Sequence, residues 1–153
     1  MDWERVKRDF EWDGAWRDIY VLETSEDDWQ RVLEILRQWT PIPVFKQNGT
    51  IAPFPEQAAD ALADPNGGLL SIDVAGMLFN CHFFGADEIE FDLDPREVTG
   101  PERAEAVGRF MGVLGDTTGK PVILTYENGR TEVICRWSPT SRTVEWMPEA
   151  SPS

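Results

Sequence analysis

The sequence predicts an α+β fold: an antiparallel β-sheet of meanders and hairpins, with two main amphipathic helices packed on one of its faces. Three observations lead there. Short runs rich in β-branched and aromatic residues follow one another through tight Gly-containing turns, the way antiparallel strands are joined. Two longer segments repeat apolar residues at helical spacing, each with a single apolar stripe. Hydrophobic residues make up 41% of the 153, with seven Trp and eight Phe, too apolar and aromatic for a disordered acidic chain. A chain of this length buries roughly 70% of its extended surface, so a single domain over 1–153 holds a core without disulfide or metal.

The elements follow in order. Residues 1–16 mix charge with Trp3, Phe10, Trp12 and Trp16, and read as an N-terminal arm or short helix laid over the core. Arg17–Glu23 is a strand by its β-branched and aromatic content. Thr24-Ser25 offers an N-cap, and Glu26, Asp27 and Asp28 suit the positive end of a helix. Trp29, Val32, Leu33, Leu36 and Trp39 then form one stripe over 25–39, ended by Thr40-Pro41. Val44–Lys46 and Thr50–Ala52 flank Gln47-Asn48-Gly49, a hairpin signal. Residues 55–63 read as a short helix with Pro near its first turn, and 64–68 as a turn.

A meander comes next: Leu69–Val74, Met77–Phe84 and Glu88–Leu93. The pattern Thr99-Gly100-Pro101-Glu102 suggests a capping box. The helix behind it turns Ala104, Val107, Phe110, Met111 and Leu114 inward and is expected to stop at Gly115. Lys120–Tyr126 and Thr131–Trp137 form a hairpin around Asn128-Gly129, Thr143–Met147 adds a last strand, and 148–153 is a tail that frays.

Charge bounds function more tightly than any motif. The chain carries 28 Asp plus Glu against 14 Lys plus Arg, a formal net charge of −14. Such a field repels phosphate and anionic lipid and attracts basic surfaces. Nucleic-acid binding needs clustered Lys and Arg, whereas Arg5, Lys7 and Arg8 are interleaved with Glu4 and Asp9. No nucleic-acid or membrane partner is therefore expected. The N-terminus lacks the apolar core of a signal peptide and no run reaches the ~18 residues of a membrane span, so a cytoplasmic protein with free, buried Cys81 and Cys135 is expected.

The sharpest local feature is Glu88, Glu90, Asp92 and Asp94. Period two puts these four carboxylates on one face of a strand, roughly 7 Å apart from one to the next. Like charges so arranged repel, which leaves two readings: a solvated face balanced by cross-strand cations, or a docking surface for a basic partner. A straight strand splays its carboxylates, whereas calcium wants six to eight converging oxygens. One His and two distant Cys do not make a zinc site, so no metal and no cofactor is expected. Cys81 and His82 point to opposite faces of their strand and cannot form a nucleophile–base dyad. No catalytic residue is assigned.

Four stretches carry a resemblance: Arg17-Asp18-Ile19-Tyr20-Val21, Asp28-Trp29, Glu88-Ile89-Glu90-Phe91-Asp92, and Lys120 through Asn128. Together with size and acidity, they make the chain similar to small acidic bacterial proteins that resemble the immunity proteins of toxin–immunity systems. The resemblance spans most of 17–137. It implies a non-catalytic cytoplasmic protein that neutralises a basic partner, such as a toxin domain, by occluding it. The alternative left open by the residues is a small enzyme or small-ligand-binding domain with a pocket between sheet and helices. The oligomeric state stays open.

Overall fold

A computed structural model describes residues 1–127 and 129–147. The described chain contains one nine-stranded antiparallel sheet and four α-helices. The strands are β1 (Arg17–Leu22), β2 (Val44–Gln47), β3 (Thr50–Ala52), β4 (Leu69–Val74), β5 (Met77–His82), β6 (Glu88–Leu93), β7 (Val122–Tyr126), β8 (Val133–Trp137) and β9 (Val144–Trp146). The helices are α1 (Trp3–Val6), α2 (Glu26–Arg37), α3 (Ala58–Ala63) and α4 (Pro101–Thr118). Spatial order is β3-β2-β4-β5-β6-β1-β7-β8-β9. Local hairpins and meanders build the two wings. β1 is the exception: it inserts between β6 and β7, distant in sequence, and joins the wings.

Alternation decides what each strand buries. In β6, Ile89, Phe91 and Leu93 are buried. Across from them in register stand Val21, Ile19, Cys81 and Phe79, also buried. On α2, Trp29, Val32, Leu33 and Leu36 join the same core, as do Ala104, Val107, Phe110, Met111 and Leu114 on α4. The Phe110 ring meets Phe91, Phe79 and Trp39 edge-on, with centroids 5.0, 5.1 and 5.7 Å away. Trp29 stacks on Phe83 at 4.9 Å, and its indole N–H donates to the Gly85 carbonyl at 3.0 Å. Each such side chain contributes about 1.5–3 kcal/mol on burial.

The helix ends show what the sequence does locally. Ser25 caps α2: its hydroxyl accepts from the Asp28 N–H while the Asp28 carboxylate accepts from the Ser25 N–H, a capping box. Asp28 also pairs with Lys120 at 2.6 Å and Arg31 at 2.9 Å. Burial pushes its carboxyl up, but Lys120 and the Ser25 bonds outweigh that and hold it below the ordinary value. At α4 the expected capping box does not form. The helix starts with Pro101 after Gly100, which has no side chain to cap with. Nor does α4 stop at Gly115: it runs to Thr118 and ends on Gly119 at φ 72°. Gly115 serves packing instead, because a Cβ there would lie 2.1 Å from the Trp137 ring. The short helix expected over 55–63 begins only at Ala58. In the first hairpin, Asn48 and Gly49 have φ of 50° and 74°, as a type I′ turn requires. Asn128 and the 148–153 tail lie outside the described residues.

The N-terminal arm is anchored by Arg17, which is almost fully buried. Its guanidinium donates to the carbonyls of Asp9 (2.7 Å) and Glu11 (3.0 Å) and to the Asp13 carboxylate (3.1 Å). It also lies over the Tyr126 ring at 4.5 Å. A hydrogen-bond acceptor for every guanidinium nitrogen is what makes burial of the charge tolerable. Cys81 and Cys135 are free and buried, and among the described residues no helix is long and apolar enough to cross a membrane.

Candidate functional site: the carboxylate face

The side of the sheet opposite Ile89, Phe91 and Leu93 carries Glu88, Glu90 and Asp92, with Asp94 just beyond the end of β6. The sequence pattern placed these together, but the face is less solvated than an open outer face. β6 lies in the interior of the sheet, flanked by β5 and β1, and all four carboxylate residues are only partly exposed. Two cross-strand rows meet on this face. One runs Asn80, Asp92, Asp18, Thr125, and the other His82, Glu90, Tyr20, Ile123. Asp18 therefore stands directly opposite Asp92, and is itself only 3% exposed.

Hydrogen bonds knit the rows together. Ser71 Oγ bonds Asn80 Oδ1 at 3.0 Å, Asn80 Nδ2 donates to Asp92 Oδ1 at 3.2 Å, and the other Asp92 oxygen meets His82 Nε2 at 2.6 Å. The Tyr20 hydroxyl lies 3.0 Å from Asp18 Oδ2 and 3.4 Å from Glu90 Oε1. One hydroxyl proton serves one acceptor, and Asp18 is the nearer. The cations lie at the margins: Arg130 pairs with Glu88 and sits over the Tyr20 ring, while Arg96 forks onto Asp94.

The electrostatics follow from this packing. Burial, then the charges of Asp18 and Glu88, push the Glu90 carboxyl above its ordinary range. The hydrogen bond to Asp92 raises His82 despite partial burial. Burial, reinforced by Asp18 and Glu90, raises the Tyr20 phenol. The Asp94 carboxyl falls because the Arg96 guanidinium binds it. Burial raises the Cys81 thiol well above its ordinary value, so it stays protonated on the opposite side of β5.

Sequence reasoning missed Asp18, Tyr20 and His82 as members of this site. The alternation of β1 puts Asp18 and Tyr20 on one face, but nothing local says that β1 pairs with β6. Among the described residues no group of three or more His, Cys, Asp or Glu side chains is arranged to hold a metal ion. One recess shares this face and one groove lies apart from it. A groove of about 610 Å³ runs between α4 and β8–β9, floored by Trp137, Val144 and Trp146. A recess of about 310 Å³ lies on this face next to the acidic cluster, lined by Tyr20, Ile123, Arg130 and Arg136. Neither includes His82, Glu90 or Asp92 in its lining. Comparison of the chain with protein families, curated proteins and solved structures gives no match.

Proposed function

We propose that this chain is a non-catalytic, cytoplasmic binding protein that docks a basic protein on its carboxylate face, in the manner of an immunity protein neutralising a toxin domain. In this reading α2 and α4 both lie over the core face and leave the carboxylate face to the partner. The observation that carries it is the pair Glu90 and Asp92, partly exposed on one face, where burial and the charges of Asp18 and Glu88 push the Glu90 carboxyl up. Like charges on one sheet face repel, and a partner's Lys or Arg beside Glu90 offsets that repulsion. Glu88, Glu90, Asp92 and Asp94 supply the steering field, which raises association rates from about 10⁵–10⁶ toward 10⁸–10⁹ M⁻¹s⁻¹ at low salt.

The test is affinity capture from the source cell at low salt, comparing the wild-type chain with Glu90→Gln/Asp92→Asn. A basic protein held by the wild type, released by salt and not held by the variant is the expected result. Equal capture by both chains defeats the reading. The 2.6 Å His82–Asp92 pair supports a second reading, acid–base chemistry on a small substrate. A fall of about 10²-fold or more in the kcat of any activity found, on His82→Ala, would decide for it.

A further inference from the structure

The carboxylate face does not end at its charges. Phe45 is buried and pairs with buried Leu70, so its neighbours Val44 and Lys46 point to the carboxylate side. Ile51 stands opposite Lys46 and shares that side. Leu78 lies between buried Met77 and Phe79 and faces the same way. Phe84 stacks flat on the His82 ring, centroids 4.9 Å apart. Ile51 and Phe84 are 71% and 69% exposed, and Val44 and Leu78 are also exposed. One wing of the sheet thus presents large apolar side chains to solvent, and its inner margin touches the acidic cluster at His82. By register Ile51, Lys46, Leu69 and His82 form one cross-strand row on this face, so apolar side chains and the Lys46 stem lead up to the acidic cluster, and apolar surface beside charge is the make-up of a binding surface.

We infer that the β2–β5 wing is the affinity half of the docking surface, and that the partner offers an amphipathic basic element with an aliphatic or aromatic cluster beside its Lys or Arg residues. This inference rests on the docking reading above and adds the partner's chemistry. Charge complementarity sets the orientation. The partner's cations fall over Glu90 and Asp92, and its apolar cluster falls over Phe84 and Ile51, with Lys46 between them in the same cross-strand row. A second copy of this chain is the less fitting occupant, because two molecules of net charge −14 would bring carboxylate faces together. The two halves have separate roles: the acidic centre governs how fast partners meet, and the apolar wing governs how long they stay.

Three synthetic probes separate the halves: an amphipathic Lys/Leu peptide, a Lys/Ser peptide of equal length and charge, and oligolysine. Each is titrated into isotope-labelled wild type and into Ile51→Thr/Phe84→Ser, following backbone amide shifts. Both substitutions are at exposed positions, and a thermal melt of the variant confirms its fold. The Lys/Leu peptide is expected to bind about tenfold tighter than Lys/Ser. That excess should vanish in the double variant, while oligolysine binds both proteins alike. An excess that is absent, or that survives the double variant, overturns the inference but leaves the docking reading standing if oligolysine still shifts β1, β5 and β6 amides. If no probe shifts those amides, both fall. A wild-type dimer in sedimentation that the double variant loses also overturns the inference, because the wing would then be covered by a second copy.

Discussion

The two faces of β6 are made by the same six residues and obey opposite rules. Toward the core, Phe91 lies between Ile19 and Cys81, Ile89 meets Val21, Leu93 meets Phe79, and the aromatic edges of Phe79, Phe91 and Phe110 interlock. Toward the other side, Glu90 and Asp92 meet Tyr20, His82, Asn80 and a second Asp. The core face is organised for stability. The carboxylate face gathers like charges and gives them partners that include His82, Tyr20, Asn80 and marginal arginines. Where a chain keeps an arrangement that its own stability does not favour, the reason is sought outside the fold.

The largest effect expected from breaking this contrast lies on the core face. Phe110→Ala should cost about 3–5 kcal/mol and Leu33→Ala about 2–5 kcal/mol in urea melts. A loss under about 0.5 kcal/mol would remove the residue from the core and with it the asymmetry between the faces. Gly115→Ala forces a methyl into the Trp137 ring and should cost about 1–3 kcal/mol by overpacking. A neutral result would mean that α4 rides further from β8 than described.

The carboxylate face sharpens the comparison through pH. Glu90 is raised from its ordinary 4.5, so the protonated form favours the folded state, and stability is lost as pH climbs from about 4.5 through the folded value. His82 is raised from 6.5; its contribution is complete below 6.5 and is lost as pH rises through its folded value. Asp28 is lowered from 3.8, and its contribution is lost as pH falls below that point. Melting temperature should therefore be highest between the Asp28 loss below 3.8 and the onset of the Glu90 loss at 4.5, and should decline from there toward pH 8. Glu90→Gln should flatten the decline that begins near 4.5, and His82→Gln the part above 6.5. A melting temperature that rises from pH 5 to pH 8 would contradict both assignments.

The smallest effect separates two neighbours on one strand. At pH 8, Glu90→Gln should stabilise by about 0.2–1 kcal/mol, since it removes like-charge repulsion. At pH 5.5, Asp92→Asn should destabilise, because it takes away the acceptor of protonated His82. Matching signs for the two variants at both pH values would show that the face responds only to its net charge and not to its bonding.

Much of this contrast is readable from period two. Alternation in 88–94 separates Ile89, Phe91 and Leu93 from the carboxylates without any structure, and the stripes of α2 and α4 name their buried residues in the same way. What alternation cannot convey is which strand lies beside which. Asp18 reads as an ordinary polar position until β1 is seen against β6, and His82 as an ordinary histidine until Asp92 is found beside it. Gly115 misled for a related reason: glycine ends helices often, but here it makes room for Trp137, and that ring arrives from a strand far along the chain. The positions hard to read from sequence are those whose meaning depends on pairing across long separations.

The insertion of β1 between β6 and β7 has a consequence for synthesis. Residues 17–22 leave the ribosome early, yet their two edges are occupied only when residues 88–93 and 122–126 have followed. At translation rates of about 5–20 residues per second, that wait lasts roughly 5–20 s. Throughout it, Ile19, Tyr20 and Val21 sit on a strand with no neighbour on either side, an open invitation to intermolecular pairing. The vulnerable period of this protein thus falls before its fold exists, and slower elongation lengthens it.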